Sequence, residues 1–302
     1  MATNAKVTTG VLWWAGALVS FAALAFAARK ASAELNTFEL MMHRAFVSVG
    51  IVLIVGLSTR TLGEIPTRRL GLHFVRNFAH FVALCLWFYA VTQIPLARLY
   101  SLEFTTPLWV SIFAPWMLRE KMTVTKIGSA VAGFVGILII VRPGMIAISP
   151  GVVAGTLSAI AIGGSLIFTT LLVRTETTTC ILFWLAMIQA ALGVLSVSVG
   201  GSFKLPSMQA IPWVFVVSVA GLFGNYCMIK ALRHAPATIL APLDFVSLPL
   251  IAIFGMMFYS EPLELSVFAG AAVILGANYF NVRAERRAAP PINASKKTSC
   301  DS

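Results

Sequence analysis

From end to end the chain alternates apolar stretches of about twenty residues with short breaks of charge, glycine or proline. A helix needs about 20 apolar residues to cross the hydrocarbon layer of a bilayer. Inside that layer the backbone must satisfy its own hydrogen bonds, which leaves helices and closed barrels as the only spanning forms. The runs lie near residues 10 to 28, 38 to 58, 72 to 93, 97 to 118, 123 to 141, 150 to 172, 179 to 200, 210 to 232, 237 to 258 and 264 to 282. They predict an all-α membrane protein with ten transmembrane helices. Only 11% of the 302 residues are charged and the mean hydropathy is +0.89, whereas soluble domains carry about 25% charge. No separate soluble domain fits between the runs.

The first run is followed by Ala31, Ser32 and Ala33, which resemble a signal-peptide cleavage site. Its apolar stretch exceeds the usual 7 to about 15 residues, so it is expected to be retained. The net charge of +11 reflects membrane topology, because a nucleic-acid site needs a hydrophilic basic face. In a ten-helix layout one side collects sixteen Lys and Arg, including Arg60, Arg68, Arg69, Arg76, Arg119, Arg174, Lys230, Arg233 and Arg283, and the other side five. Cytoplasmic loops are the basic ones, which places both termini in the cytoplasm. Residues 1–9 form a cytoplasmic N-terminal segment in this layout, and 283–302 read as a disordered cytoplasmic tail.

Sliding the sequence against itself by 141 residues aligns the third to fifth runs with the eighth to tenth without a gap. Pro95 falls on Pro236, Leu102-Glu103-Phe104 on Leu243-Asp244-Phe245, Thr106 on Ser247, Glu120 on Glu261, and Gly10 on Gly151. Each half, 10–144 and 150–282, then holds five helices. An odd number makes the second half enter the membrane from the opposite side, the inverted repeat used by secondary transporters. Such halves rock about a site near the midplane.

These residues resemble the EamA-type members of the drug/metabolite transporter superfamily. The resemblance rests on the five-plus-five layout, His43-Arg44, Trp87-Phe88-Tyr89-Ala90, Leu102 through Pro107, Arg119-Glu120-Lys121, and Gly136 through Arg142-Pro143-Gly144. It implies a metabolite carrier of the bacterial inner membrane, with exporters of aromatic and other neutral amino acids as the most similar members. Export, as opposed to uptake, comes from the resemblance alone.

Ionisable groups within a transmembrane helix cost at least about 2.5 kcal/mol near its centre and mark functional positions by default. Glu103 and Asp244 are repeat mates at equal depth from opposite ends. Either they meet a substrate ammonium or a proton at two gates, or each is held by a neighbouring base, Arg44 for Glu103 and Lys230 or Arg233 for Asp244. Asn77, His80, Leu84 and Trp87 share one face of the third helix at spacings of three and four, a mixed polar and aromatic surface suited to a small-molecule pocket. Tyr100 shares a face with Glu103, and Asn225 is the repeat position beside Leu84. These eight residues form the expected substrate site. Pro107 and Pro249 interrupt the fourth and ninth helices and, with Arg44, are the expected gating positions. Trp109, Trp184, Gln189 and Asn278 are assigned to structure or to lipid. Gly128, Ala132 and Gly136 form a small-residue row suited to close helix packing.

The four cysteines lack CxxC spacing, and no metal or cofactor is expected. Two aspartates cannot build an Asp-rich diphosphate site, and neither HExxH nor GxSxG occurs. An intramembrane enzyme is therefore a distant reading. The expected partners are a small-molecule substrate and the lipid bilayer, without nucleic acid, the chain acting as a monomer unless the small-residue row builds a dimer. The alternative function is uptake of a larger nutrient or cofactor, nucleoside-like or flavin-like.

Overall fold

The computed structural model describes residues 2–118, 124–142, 149–200, 203–235, 247–262 and 264–288. Among these residues the regular structure is entirely helical. The helices are α1 (Ala2–Ala31), α2 (Thr37–Ser58), α3 (Leu70–Gln93), α4 (Leu96–Glu103), α5 (Thr106–Leu118), α6 (Val124–Val141), α7 (Pro150–Val173), α8 (Thr178–Gly200), α9 (Ile211–His234), α10 (Ser247–Tyr259) and α11 (Leu265–Ala288). A short 3-10 turn, Leu62–Glu64, follows α2. Six of the helices, α1 to α3 and α7 to α9, are long and apolar enough to cross a membrane by length and composition.

Local signals set the boundaries. The Asn36 side chain accepts the Glu39 amide and Glu39 answers with the Asn36 amide, a reciprocal cap that satisfies two orphan donors of α2. Ser149 caps α7, with Pro150 at its first position where no N–H is needed. Helix α3 stops at Ile94, extended at φ −132° and ψ 158°, as a residue before proline prefers.

The structure departs from the sequence reading at three places. The N-terminal segment is helical from Ala2, continuous with α1, and α11 runs to Ala288, into the expected tail. The run at 97 to 118 is two helices. Pro107 has no N–H to give the Glu103 carbonyl, and the chain tightens instead, with Thr105 N–H donating to Leu102 O and Leu108 N–H to Thr105 O.

Helix α1 packs along α9, α3 along α7, α2 along α8, and α6 along α11. The last pair meets backbone to backbone: a Cβ on Gly136 would lie 2.9 Å from Gly270 O, and one on Gly270 2.7 Å from Gly136 O. Of the small-residue row, Gly136 thus serves packing within the chain, whereas Gly128 faces open space. Outward faces carry exposed Phe46, Ile54, Phe78, Phe134 and Phe215, which suit a lipid surround and no aqueous one.

The bundle has two ends. At one, Lys204 and Ser207 after α8 reach Glu34 after α1, and Arg29 reaches Ile94 and Glu261. At the other, Thr67 and Arg233 reach Glu176, and Gly10 lies against Ala235.

Candidate functional site

Inside the bundle five helices contribute to one buried polar cluster. Arg76 of α3 is 1% exposed. Its Nε donates to Thr169 Oγ1 of α7 (3.0 Å), Nη1 to Asn77 Oδ1 (2.7 Å) and Nη2 to Asn225 Oδ1 of α9 (3.2 Å). Arg44 of α2, 7% exposed, donates from Nη2 to Gln189 Oε1 of α8 (3.1 Å) and from Nε to Met41 Sδ (3.3 Å). Its guanidinium stands 5.9 Å from the centre of the Phe88 ring. The amides are themselves anchored, Asn225 Nδ2 to Gly221 O at 2.9 Å, Asn77 Nδ2 to Trp184 O at 3.3 Å, and Gln189 Nε2 to Asn77 O at 3.2 Å.

Arg44, His80, Ser48, Gln189, Gly221 and Asn225 line a cavity of about 10 Å³, room for roughly one water molecule. Gly221 brings backbone close to the charge, since a Cβ there would lie 3.3 Å from Arg44 Nη1. Neither arginine meets a carboxylate among the described residues; their partners are neutral amides, a hydroxyl and a thioether. A buried guanidinium that lacks a counter-charge loses its hydration without a full return. The His80 ring has no hydrogen bond among the described residues and faces this cavity.

The sequence-predicted residues divide. His80, Asn225 and Arg44 share the cavity wall, and Asn77 joins them through Arg76 and Gln189. Leu84 is half-buried against the main core and Trp87 is buried, its ring edge-on to Phe88 at 5.4 Å. Tyr100 is buried and donates to Phe21 O at 3.0 Å. Glu103 ends α4 at the break, and Pro107 opens α5. Pro249 lies in the first turn of α10, where proline is tolerated. Asp244 lies outside the described residues.

Three expectations are corrected. The Glu103–Arg44 ion pair is not formed, because α2 faces α8 and α9 and turns Arg44 to Gln189. Arg76, placed among the loop charges from sequence, is an interior residue. Gln189, assigned to structure or lipid, is 2% exposed and lines the cavity. The signal for Arg76 was available, since it stands four residues before His80 and so on the same helical face.

A second polar feature lies at one end. Arg29 at the end of α1 donates to Val91 O (2.8 Å) and Ile94 O (2.6 Å), pairs with Glu261, and lies 4.9 Å from the centre of the Tyr259 ring. Glu261 also accepts the Leu96 amide at 2.9 Å. Beside it, Arg98 pairs with Glu264 at 2.5 Å. These groups border an open hollow of about 480 Å³ lined by Arg29, Thr92, Gln93, Pro95, Tyr259 and Glu261.

Apolar helices with lipid-suited faces and a sealed polar centre define a multi-pass membrane protein. The particular family follows from comparison: the chain belongs to the EamA-like transporter family, whose model matches twice, over residues 8–142 and 149–283. Relatives include an S-adenosylmethionine uptake transporter of Rickettsia felis, 27% identical and covering 93% of this chain and 94% of that protein. A riboflavin transporter of Brucella anthropi is 28% identical over 76% and 82% of the two chains. A pseudopaline exporter of Pseudomonas aeruginosa is 26% identical over 89% and 94%. A solved crystal structure shares the fold, with TM-score 0.66 at 15% identity over 94% of this chain and 99% of the other.

Proposed function

We propose that the protein is a secondary carrier of the bacterial inner membrane that moves a small carboxylate-bearing metabolite by alternating access, with neutral and aromatic amino acids, exported, as the leading class. The observation that carries the substrate class is the pair of buried arginines held by neutral partners, Arg44 in the cavity wall and Arg76 behind it, bonded to the wall residue Asn225. A substrate carboxylate supplies the counter-charge, and charge-assisted, bidentate bonds to guanidinium are the strong ones. His80, Asn77 and Asn225 are then placed to bond the rest of its polar end. A cavity with room for roughly one water means that admitting a metabolite requires the helices around it to part.

Two five-helix halves of opposite orientation are supported by the pairing of helices. If α1 and α7 are mates, α2 and α8, α3 and α9, α4–α5 and α10, and α6 and α11, then the packing of α1 on α9 maps onto that of α7 on α3. The pairs α2 with α8 and α6 with α11 map onto themselves. Boundaries agree at the offset of 141: α3 (Leu70–Gln93) with α9 (Ile211–His234), and α5 (Thr106–Leu118) with α10 (Ser247–Tyr259). A Cβ on Gly10 would meet Ala235 and His234, and one on its mate Gly151 would meet Ile94 and Gln93, the same two mate positions. The repeats are assigned to 10–144 and 150–282, giving ten crossings and cytoplasmic termini. With Arg76 counted as interior, fifteen basic residues remain on the cytoplasmic side against five.

The second reading is uptake of a nucleoside-like or flavin-like compound, favoured by the names of the S-adenosylmethionine and riboflavin transporters. Flux into proteoliposomes of labelled phenylalanine, methionine, threonine, S-adenosylmethionine and riboflavin, with and without a pH gradient, separates the two. Saturable amino-acid flux is the expected result. S-adenosylmethionine flux alone would keep the arginine site and change the substrate, since that compound carries a carboxylate. Riboflavin flux alone would overturn both the amino-acid and the carboxylate readings, because riboflavin has none.

A further inference from the structure

At the end of the bundle opposite Arg29, three metal-ligating side chains converge from two helices and a connecting loop. His73 lies in the first turn of α3, Cys180 in the first turn of α8, and Glu176 between α7 and α8. Their ligand atoms all lie within 4.8 Å of one another. Cys180 Sγ stands 3.8 Å from His73 Nε2 and 3.4 Å from Glu176 Oε2. In a tetrahedral site with zinc bonds of about 2.3 Å to sulfur and 2.0–2.2 Å to nitrogen and oxygen, both edges come to about 3.6 Å. The two distances bracket that value.

Hydrogen-bond contacts already join the three side chains. The Cys180 thiol stands against Glu176 Oε2, His73 Nε2 and, at 3.3 Å, the Ile65 carbonyl, which also accepts from Trp184 Nε1 at 3.2 Å. His73 is fully buried and its Nδ1 has no partner. A cation among the three would bond sulfur, His73 Nε2 and the carboxylate together. The carboxylate is already oriented from behind: Thr67 Oγ1 donates to Glu176 Oε1 at 2.8 Å, and Arg233 holds the Glu176 carbonyl at 2.6 Å. Such outer contacts fix ligands in metal sites.

We infer that His73, Glu176 and Cys180 form a binding site for a divalent transition ion of the zinc class, with the Ile65 carbonyl or a water as fourth donor. Bound metal ties the start of α3 to the α7–α8 corner, one helical turn from Arg76. The site uses none of the residues assigned to substrate, so it stands or falls apart from the transport reading.

The test uses the full-length protein in detergent, with any affinity tag removed, stripped with a chelator and titrated with cobalt(II) as a spectroscopic probe. One cobalt per chain is expected, with thiolate-to-cobalt absorption and the visible bands of tetrahedral cobalt, and zinc should displace it. Cys180→Ser should abolish the thiolate absorption, and Glu176→Gln should weaken binding by at least about tenfold. Should Cys180→Ser fail to fold, a variant with Cys85, Cys227 and Cys300 all changed to Ser isolates Cys180 and must retain the absorption. Absence of stoichiometric cobalt binding in the wild type would overturn the inference. So would thiolate absorption that survives Cys180→Ser or disappears from the triple-serine variant.

Discussion

Four arginines in two regions of the molecule bear the same charge under different conditions. At one end Arg29 and Arg98 face Glu261 and Glu264, with partial exposure of 17% and 11% for the first pair's side chains. In the centre Arg44 and Arg76 are buried and face Gln189, Asn77, Asn225 and Thr169. The end arginines have their counter-charges within the chain and so can act as fasteners. The central ones are hydrogen-bonded but not neutralised, and a low-dielectric surround makes that state costly. A transporter gains from the second arrangement, because the missing charge can arrive with the substrate.

The largest effect should come from the centre. Charge-assisted bonds contribute about 1.5–3 kcal/mol, so Arg76→Gln or Arg44→Gln should raise KM for a carboxylate substrate by about ten- to a hundredfold in proteoliposome flux. Arg76→Lys should not restore it, because an ammonium cannot serve three divergent acceptors as a planar fork does. Normal KM in both glutamine variants would erase the distinction between the two regions.

A smaller effect is expected at the fastened end. The partial exposure of Arg29 and Glu261 calls for discounting their attraction, and Glu261→Gln should shift closure by about 1 kcal/mol, roughly fivefold. A cysteine at Gln93, in the hollow, with native cysteines removed, should then react about fivefold faster with a water-soluble maleimide. The swap Arg29→Glu with Glu261→Arg should recover only part of the closure, because Arg29 also holds Val91 O and Ile94 O. An unchanged labelling rate in Glu261→Gln would remove the fastening role.

Between the regions lies the break at Pro107. Pro107→Ala returns a donor for the Glu103 carbonyl, and a gain of about 1 kcal/mol for the continuous helix should slow turnover a few-fold with KM little changed. Unchanged turnover would make the break a static bend.

The smallest effect concerns Glu34, whose carboxyl is held below its ordinary value of 4.5 by hydrogen bonds from Ser207 Oγ and the Ser207 amide. A lowered folded value means that the contact's contribution is present above pH about 4.5 and is lost as pH falls through the lower folded value. Exchange of the Ser207 amide should therefore accelerate, relative to the intrinsic rate, on acidification below that point. In Glu34→Gln the acid-induced change should vanish.

Much of the fold was legible because apolar length and proline are local signals. Among the described residues the runs fall on helices, that of 97 to 118 on two, and the punctuation at Pro95 and Pro107 marks a helix end and a break. The site was legible in part. Side chains at spacings of three and four on one helix, such as Asn77 and His80, can be grouped from sequence. Contacts between distant helices cannot: Arg76 meets Thr169 and Asn225, 93 and 149 positions away. Arg76 was assigned to a loop because a charge near the edge of an apolar run looks the same whether it points to water or inward. Spacing within the sequence likewise concealed His73 and Cys180, which stand 107 positions apart.

The most direct test of the central claim compares each candidate carboxylate, phenylalanine and S-adenosylmethionine among them, with its carboxamide as a competitor for transport by wild type, Arg44→Gln and Arg76→Gln. The wild type is predicted to prefer the carboxylate by at least about tenfold, the equivalent of about 1.4 kcal/mol, and both variants to lose that preference. Equal competition by acid and amide in the wild type, or a preference that persists in both variants, would contradict the assignment of Arg44 and Arg76 to the substrate's charge.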